Sequence, residues 1–337
     1  MPSAKRAGPV LNRRAPTPVV VHSAPIVLPV CADPIRDGAV ATKGDRVVEV
    51  GTRASVTTSF PAAEELRWTG MIVAGLVDAR SAAPAAGPGV TARAGVVSDL
   101  AELAGVPGIS YVEVTSASEE EWETRGRDAV ITTIREVDRP CAVGIAAHTP
   151  DPQVLEDVAV LARTFGLRLL VDLDRHSPAA LDEAGVLGRL CHVAVSRPLD
   201  PGERKLLRLR KTVVAVCASP APDVLALLDE GNAVALGTGA GGGPSGVLGV
   251  ARGIRQHARE LGLRTRGLDG RLVVAATMGG ARALGMDRGK GRIGSLAPGA
   301  RADFAVFDAR GRYPYAALLA QPPCLGTVIG GTVLPAA

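Results

Sequence analysis

Residues 141–173 read CAVGIAAHTPDPQVLEDVAVLARTFGLRLLVDL, and their pattern decides the fold. The run 141–146 is short and apolar and reads as a strand. Residues 153–165 follow a helical pattern, and 168–173 form a second apolar strand. Strands that are apolar throughout are buried on both faces. A helix between two of them makes them parallel neighbours in one sheet.

The same unit repeats on either side. Downstream, helices are expected at 178–188, 201–209, 222–230 and 247–261, and strands at 190–195, 212–216 and 233–236. A helix at 272–284 closes the series. Upstream come a strand at 71–78, a Gly/Ala/Pro-rich connection at 79–92, a short helix at 97–104, a strand at 109–114 and a helix at 119–137. So many consecutive units imply an α/β fold, a (β/α)8 TIM-type barrel. The segment 82–96 is short, so a lid and one βα unit are expected to be missing or distorted. Short β segments at 19–30, 38–43 and 47–50 precede the barrel, and others at 293–296, 304–307 and 327–333 follow it. The expected organisation is a disordered basic tail at 1–16, a composite β-sandwich from 17–72 and 291–335, and a barrel at 73–290.

Composition narrows the function classes. Of 337 residues, 47% are hydrophobic and only 3% aromatic, so the core is aliphatic. The net charge is +4, and the first residues supply Lys5, Arg6, Arg13 and Arg14 with no acid among them. Elsewhere bases alternate with acids, which disfavours a nucleic-acid surface. The apolar run 19–30 is broken by His22, Pro25 and Pro29, so it reads as a strand rather than a signal peptide. No run is long enough to span a membrane, and a cytoplasmic location is expected. Cys31, Cys141, Cys191, Cys217 and Cys324 are scattered singly and read as free thiols.

Three passages resemble the amidohydrolase superfamily, in its cytosine, guanine, chlorotriazine and aminofutalosine deaminase-like branch. Pro34-Ile-Arg-Asp-Gly-Ala-Val40 through Gly44-Asp-Arg-Val-Val-Glu-Val-Gly51 looks like the family's N-terminal β half. Thr277-Met-Gly-Gly-Ala-Arg-Ala-Leu-Gly285, followed by Gly291-Arg-Ile-Gly-Ser-Leu-Ala-Pro-Gly-Ala-Arg-Ala-Asp-Phe-Ala-Val-Phe307, is similar to its GxIxxGxxADxxxxd return. Gly144-Ile-Ala-Ala-His-Thr-Pro150 looks like the strand and loop that carry its PHAP histidine.

The resemblance implies metal-dependent hydrolysis of a C–N bond, in which a bound metal brings the pKa of its water toward neutrality. It also implies His and Asp ligands converging from strand ends. The five histidines are His22, His148, His176, His192 and His257, and none forms a His-x-His pair. In the run Ala74-Gly-Leu-Val-Asp-Ala-Arg80-Ser-Ala82, Arg80 and Ala82 stand at the family's two histidines. A guanidinium there repels a cation. Asp172 falls on the next ligand and Arg175 on the catalytic glutamate. Val195 falls on the following histidine, with His192 as the alternative register. Gly239, in Leu236-Gly-Thr-Gly239, replaces the last aspartate. The expectation is therefore no metal, no cofactor and no catalytic residue in the inherited sense. A rebuilt site with one zinc on Asp172, Asp174, His176 and Cys217 stays open, with activity on an amino-purine or futalosine-like substrate.

His148, Asp172, Arg80, Glu113 and Thr238 are the candidates for binding a small molecule at the barrel mouth. Arg80 is also placed to pair with Asp172 as a structural ion pair. His192 reads as a satisfied core residue and His257 as surface. Gly237-Thr-Gly-Ala-Gly-Gly242 matches GxGxxG, but no acidic strand follows as a dinucleotide site requires; it reads as a collapsed ligand loop. Neither Ser219 nor Cys217 sits in a nucleophile elbow. The expected role is small-molecule binding, or scaffolding and regulation as a homodimer or beside an active paralogue.

Overall fold

A computed structural model of the chain describes residues 17–82, 86–97, 107–136, 142–217, 223–239, 246–263 and 265–334. The basic tail, Cys141, Ser219, the loop residues 240–242 and nearly all of the helix expected at 97–104 lie outside these residues.

The first segment builds β1 (Val19–Leu28), β2 (Ile35–Lys43), β3 (Arg46–Thr52), β4 (Glu64–Arg67) and β5 (Met71–Ala74). The barrel contains β6 (Leu76–Ser81), β7 (Val90–Val97), β8 (Gly108–Val114), β9 (Ala142–Ala147), β10 (Arg168–Asp172), β11 (Cys191–Val195), β12 (Val213–Val216) and β13 (Val234–Leu236). The chain returns through β14 (Phe304–Phe307), β15 (Cys324–Ile329) and β16 (Thr332–Leu334).

The terminal strands form one eight-stranded sheet in the order β16-β15-β14-β5-β1-β2-β3. It is antiparallel except along one edge of β1, where β4 and then β5 run parallel to it. Between β5 and β14 the two ends of the chain meet, Ile72 opposite Val306. The sheet buries Val27, Val40, Ile72, Phe304 and Val328.

The second sheet is parallel throughout, in simple sequential order from β6 to β13. A parallel bridge from Ser81 to Gly239 joins its edges, with the Gly239 amide donating to the Arg80 carbonyl at 2.8 Å. The sheet thereby closes as the barrel expected from the repeats. Helix Pro152–Phe165 illustrates how the local sequence sets each unit. Asp151 caps the Gln153 and Val154 amides, Pro152 occupies the first turn, and Gly166 ends the helix at φ 66°. In helix Pro201–Arg210, Asp200 and Glu203 form a reciprocal capping box.

Three expectations are corrected. The strand expected at 71–78 is two strands. Its first half belongs to the terminal sheet and its second to the barrel, and the chain changes sheets at Gly75. A Cβ there would stand 2.0 Å from Thr91 Oγ1, so only glycine permits the crossing. The connection expected at 79–92 is strand at both ends, because β6 runs to Ser81 and β7 starts at Val90. No barrel strand is missing; Thr91, Arg93 and Gly95 merely interrupt the apolar run that would have revealed β7. Residues 293–296 are buried at Ile293 and Leu296 but form no strand, since the Leu296 amide bonds the Pro29 carbonyl outside any ladder.

Helix Leu268–Val274 continues through a wider turn, Ala275–Gly279, into helix Gly280–Ala283. Gly279 lies against the Val234 carbonyl and Gly280 against Val77, where any Cβ would clash. The paired glycines of the Thr277–Gly285 passage thus let this helix press on β13 and β6, on either side of the barrel seam. No helix among the described residues is long and apolar enough to cross a membrane.

Candidate ligand site at the barrel mouth

Strand alternation decides which side chains reach the barrel interior. Leu170 and Asp172 of β10 face inward, and Leu169 and Val171 pack against the helices. Asp172 pairs with Ala194 of β11, so Ala194 and not Val195 shares its face. Val195 packs into the outer layer with Leu199 and Val216. Val195, the residue expected at that family position, therefore faces away from the barrel interior.

At the carboxyl ends of the strands, four of the sequence candidates form a continuous chain. Arg80 donates from Nε and Nη2 to the two oxygens of Asp172, both at 3.1 Å. His148 follows β9 directly and is anchored by its amide to the Val114 carbonyl. Its Nδ1 meets Glu113 Oε1 at 2.6 Å. Its Nε2 stands 3.1 Å from Asp172 Oδ2, an ion-pair distance without good hydrogen-bond alignment. Arg80 and His148 side chains are 6% and 3% exposed, whereas Glu113 and Asp172 keep 25% and 19%, so the carboxylates are what a ligand would meet.

The electrostatics follow from this order. Burial alone would lower the pKa of His148, but the carboxylates of Asp172 and Glu113 on either side outweigh it and hold the imidazole above its ordinary value. Asp172 is buried too, yet His148 and Arg80 pull its pKa far below the usual carboxylate range.

A second network lies beside the first. The buried Asp78 accepts from the Thr238 amide at 3.0 Å, the Thr238 hydroxyl at 2.7 Å and the Arg80 amide at 3.2 Å. Burial raises its pKa against these hydrogen bonds. Thr238 thus holds the seam rather than standing free. Arg93 of β7 pairs in register with Asp78; burial lowers its pKa and the Asp78 charge opposes that. Asp78 lies inside the run Ala74–Ala82 but was given no role there, and Arg93 falls on no motif. Their only sequence signal is charge inside otherwise apolar segments.

The remaining candidates lie apart. Ala82 is exposed just beyond β6. Arg175 sits at the rim and its Nη1 is 3.5 Å from the His148 carbonyl. Gly239 has φ 76°, and a Cβ there would meet Cys217 Cβ at 3.2 Å. The alternative zinc set does not converge: Asp174 bonds Ser196, and the Cys217 thiol bonds the Ala215 carbonyl. Among the described residues no three His, Cys, Asp or Glu side chains are arranged to hold a metal ion. His192 spans the interior, with Nε2 2.9 Å from the Ala79 carbonyl and Nδ1 3.4 Å from the Tyr111 hydroxyl. Burial lowers its pKa to about 3, so it is a neutral structural residue.

Comparison with known proteins adds the lineage. The sequence profile of the amidohydrolase family matches residues 114–334. Imidazolonepropionase of Saccharopolyspora erythraea is 38% identical over 104 residues, 31% of this chain and 25% of that protein. Imidazolonepropionase of Nocardia farcinica is 44% identical over 88 residues, 26% and 20% of the two. The chain thus spans about a quarter of the length of the curated relatives it matches. Among solved structures, a zinc-bound adenosine deaminase from Xanthomonas campestris superposes with TM-score 0.76 at 18% identity, over 96% of this chain and 94% of that one. Aminofutalosine deaminase of Helicobacter pylori gives 0.77 at 13%, over 94% and 100%. Zinc-bound atrazine chlorohydrolase of Arthrobacter aurescens gives 0.74 at 16%, over 94% and 95%. At identities this low, the superpositions establish a shared fold alone.

Proposed function

The chain belongs to the amidohydrolase family, and on that premise we propose that it has given up metal-dependent hydrolysis and uses its barrel mouth to bind a small molecule. The observation that carries this reading is the double hydrogen bond from Arg80 to Asp172. Both oxygens of the carboxylate at a family ligand position are taken by a cation that rises from another one.

The donor set does not fit a divalent metal. A catalytic zinc takes about three protein ligands with an open position, and the positions the family resemblance singles out hold Arg80, Ala82, Asp172 and Gly239. A metal ion near Asp172 would also stand beside the permanent charge of Arg80, at a Coulomb cost that a partly buried site does not screen.

What remains is a polar floor suited to recognition. Glu113 and Asp172 present acceptors fixed in place by His148 and Arg80, and Arg175 adds a cation at the rim. A ligand with N–H donors, such as an amino-heterocycle of the kind named for the deaminase neighbours, matches the acceptors. Ligand occupancy would then be read out through a second subunit or an active paralogue.

Ammonia release tests the reading. Zinc-supplemented protein incubated with adenosine, and separately with an aminotriazine, is expected to release ammonia at the rate of a protein-free blank. Turnover that disappears in Asp172→Asn would overturn the proposal in favour of a rebuilt hydrolytic site, with His148 between two carboxylates as its acid–base group.

A further inference from the structure

The opposite end of the barrel carries a feature that the mouth does not explain. At the amino ends of β10, β12 and β13 lies a cavity of about 310 Å³ whose wall includes Arg168, Arg189, Arg208, Lys211, Arg282 and Arg288. The single acid in that wall is Asp287. It is shared, at 3.6 Å each, between Arg282 and Arg288.

Part of this charge has a structural purpose. Helices run antiparallel to the strands, so their carboxyl ends converge on this rim, and a cation favours a helix carboxyl end. Arg168 donates to the Ala283 and Arg282 carbonyls, and Arg208 to the Glu230 carbonyl. Those two guanidiniums are engaged. Arg189 and Lys211 make no ion pair or side-chain hydrogen bond among the described residues, and Arg282 and Arg288 share one carboxylate.

Lys211 sharpens the point. It ends helix Pro201–Arg210 at φ 60°, a left-handed conformation that glycine adopts freely and that costs a lysine about 1 kcal/mol. Its charge suits the helix carboxyl end, but it does so from a strained residue on a wall that already holds five arginines, where like charges around one concavity repel.

We propose that this cavity is an anion site for a small molecule carrying a di- or triphosphate group. Guanidiniums recognise phosphate oxygens in paired, charge-assisted fashion, and a lysine adds a point charge. The volume of this half-open cavity lies at the lower bound for small-ligand pockets, about 300 Å³. A cluster confined to one concavity also distinguishes the site from a nucleic-acid surface, which needs an extended basic face.

Calorimetric titration of the full chain with inorganic pyrophosphate tests this. Saturable binding at one site is expected, weakened at least tenfold in the double variant Arg189→Glu/Lys211→Glu. Both residues are exposed and unpaired. Lys211→Glu places an acid at a helix carboxyl end and should lower the melting temperature slightly. Arg189→Glu alone, which leaves that end untouched, should melt as wild type does and still bind more weakly. Arg259→Glu, on the outward side of another helix, should bind as wild type does. Three results would each overturn the proposal. They are no saturable binding by the wild type, equal binding by the double variant, and tighter binding of a single-stranded RNA oligomer than of pyrophosphate with loss in Arg259→Glu as well.

Discussion

Glu113, His148, Asp172 and Arg80 alternate in charge when His148 is protonated, and that alternation makes the mouth pH-sensitive. The folded-state pKa of His148 is raised above its unfolded value. Its stabilising contribution is therefore present in full below the unfolded pKa, and it is lost as pH rises through the folded one. Asp172 behaves oppositely. Its pKa is depressed, so its contribution is complete above the ordinary carboxylate range and lost only as pH falls through the folded value. Replacing His148→Gln removes the titration. Urea unfolding should find this variant about 2 kcal/mol less stable than wild type near pH 5, the scale of a charge-assisted hydrogen bond. The deficit should shrink as pH rises above the raised folded pKa, and a deficit that does not change with pH would argue against a charged His148 in the chain. In the sequence, Arg80 and Asp172 were legible as partners because both fall on positions named by the family resemblance. Glu113 was legible only as a residue able to reach the mouth. Asp78 and Arg93 were not legible, since their roles depend on which strand lies beside which.

At the scale of elements, strand legibility followed continuity of the apolar run. β9 through β13 are dominated by Val, Leu, Ile and Ala, with polar residues confined to Arg168, Asp172 and His192 near strand ends, and they were read with ends correct to within two residues. β7 has Thr91, Arg93 and Gly95 within it and was read as connection. Helix Arg53–Ser59 and helix Pro314–Leu318 are too short to give a period and went unread. The strand that becomes β5 and β6 shows a different limit. Its apolar pattern is continuous, and the change of sheet rests on the steric demand at Gly75, which only the neighbouring Thr91 reveals. The seam element at Gly239 gives a test. Introducing the aspartate that the family resemblance expects, with Gly239→Asp, places a side chain at φ 76° against Cys217. This should cost about 1–2 kcal/mol, read as a lowered melting temperature, and should not confer zinc binding. A variant as stable as wild type that holds zinc would show that the seam loop is not rebuilt.

At the scale of the whole molecule, the fold is shared with solved zinc-bound structures, while the family resemblance in the sequence implies ligand positions at Arg80, Ala82, Asp172 and Gly239. Fold and site separate because they are set by different residues. The barrel depends on aliphatic strands, capped helices and the glycines at Gly75, Gly279 and Gly280, all of which are in place. On the proposed reading, the metal chemistry depends on a few side chains at strand ends, and the ion-paired network of Arg80, Asp172, His148 and Glu113 stands in their place. The central claim is that this network has replaced the metal. Its most direct test is elemental analysis of the purified protein after incubation with excess zinc and desalting. The account predicts metal far below one ion per chain. One tightly held zinc ion per chain, lost in Asp172→Ala, would contradict it.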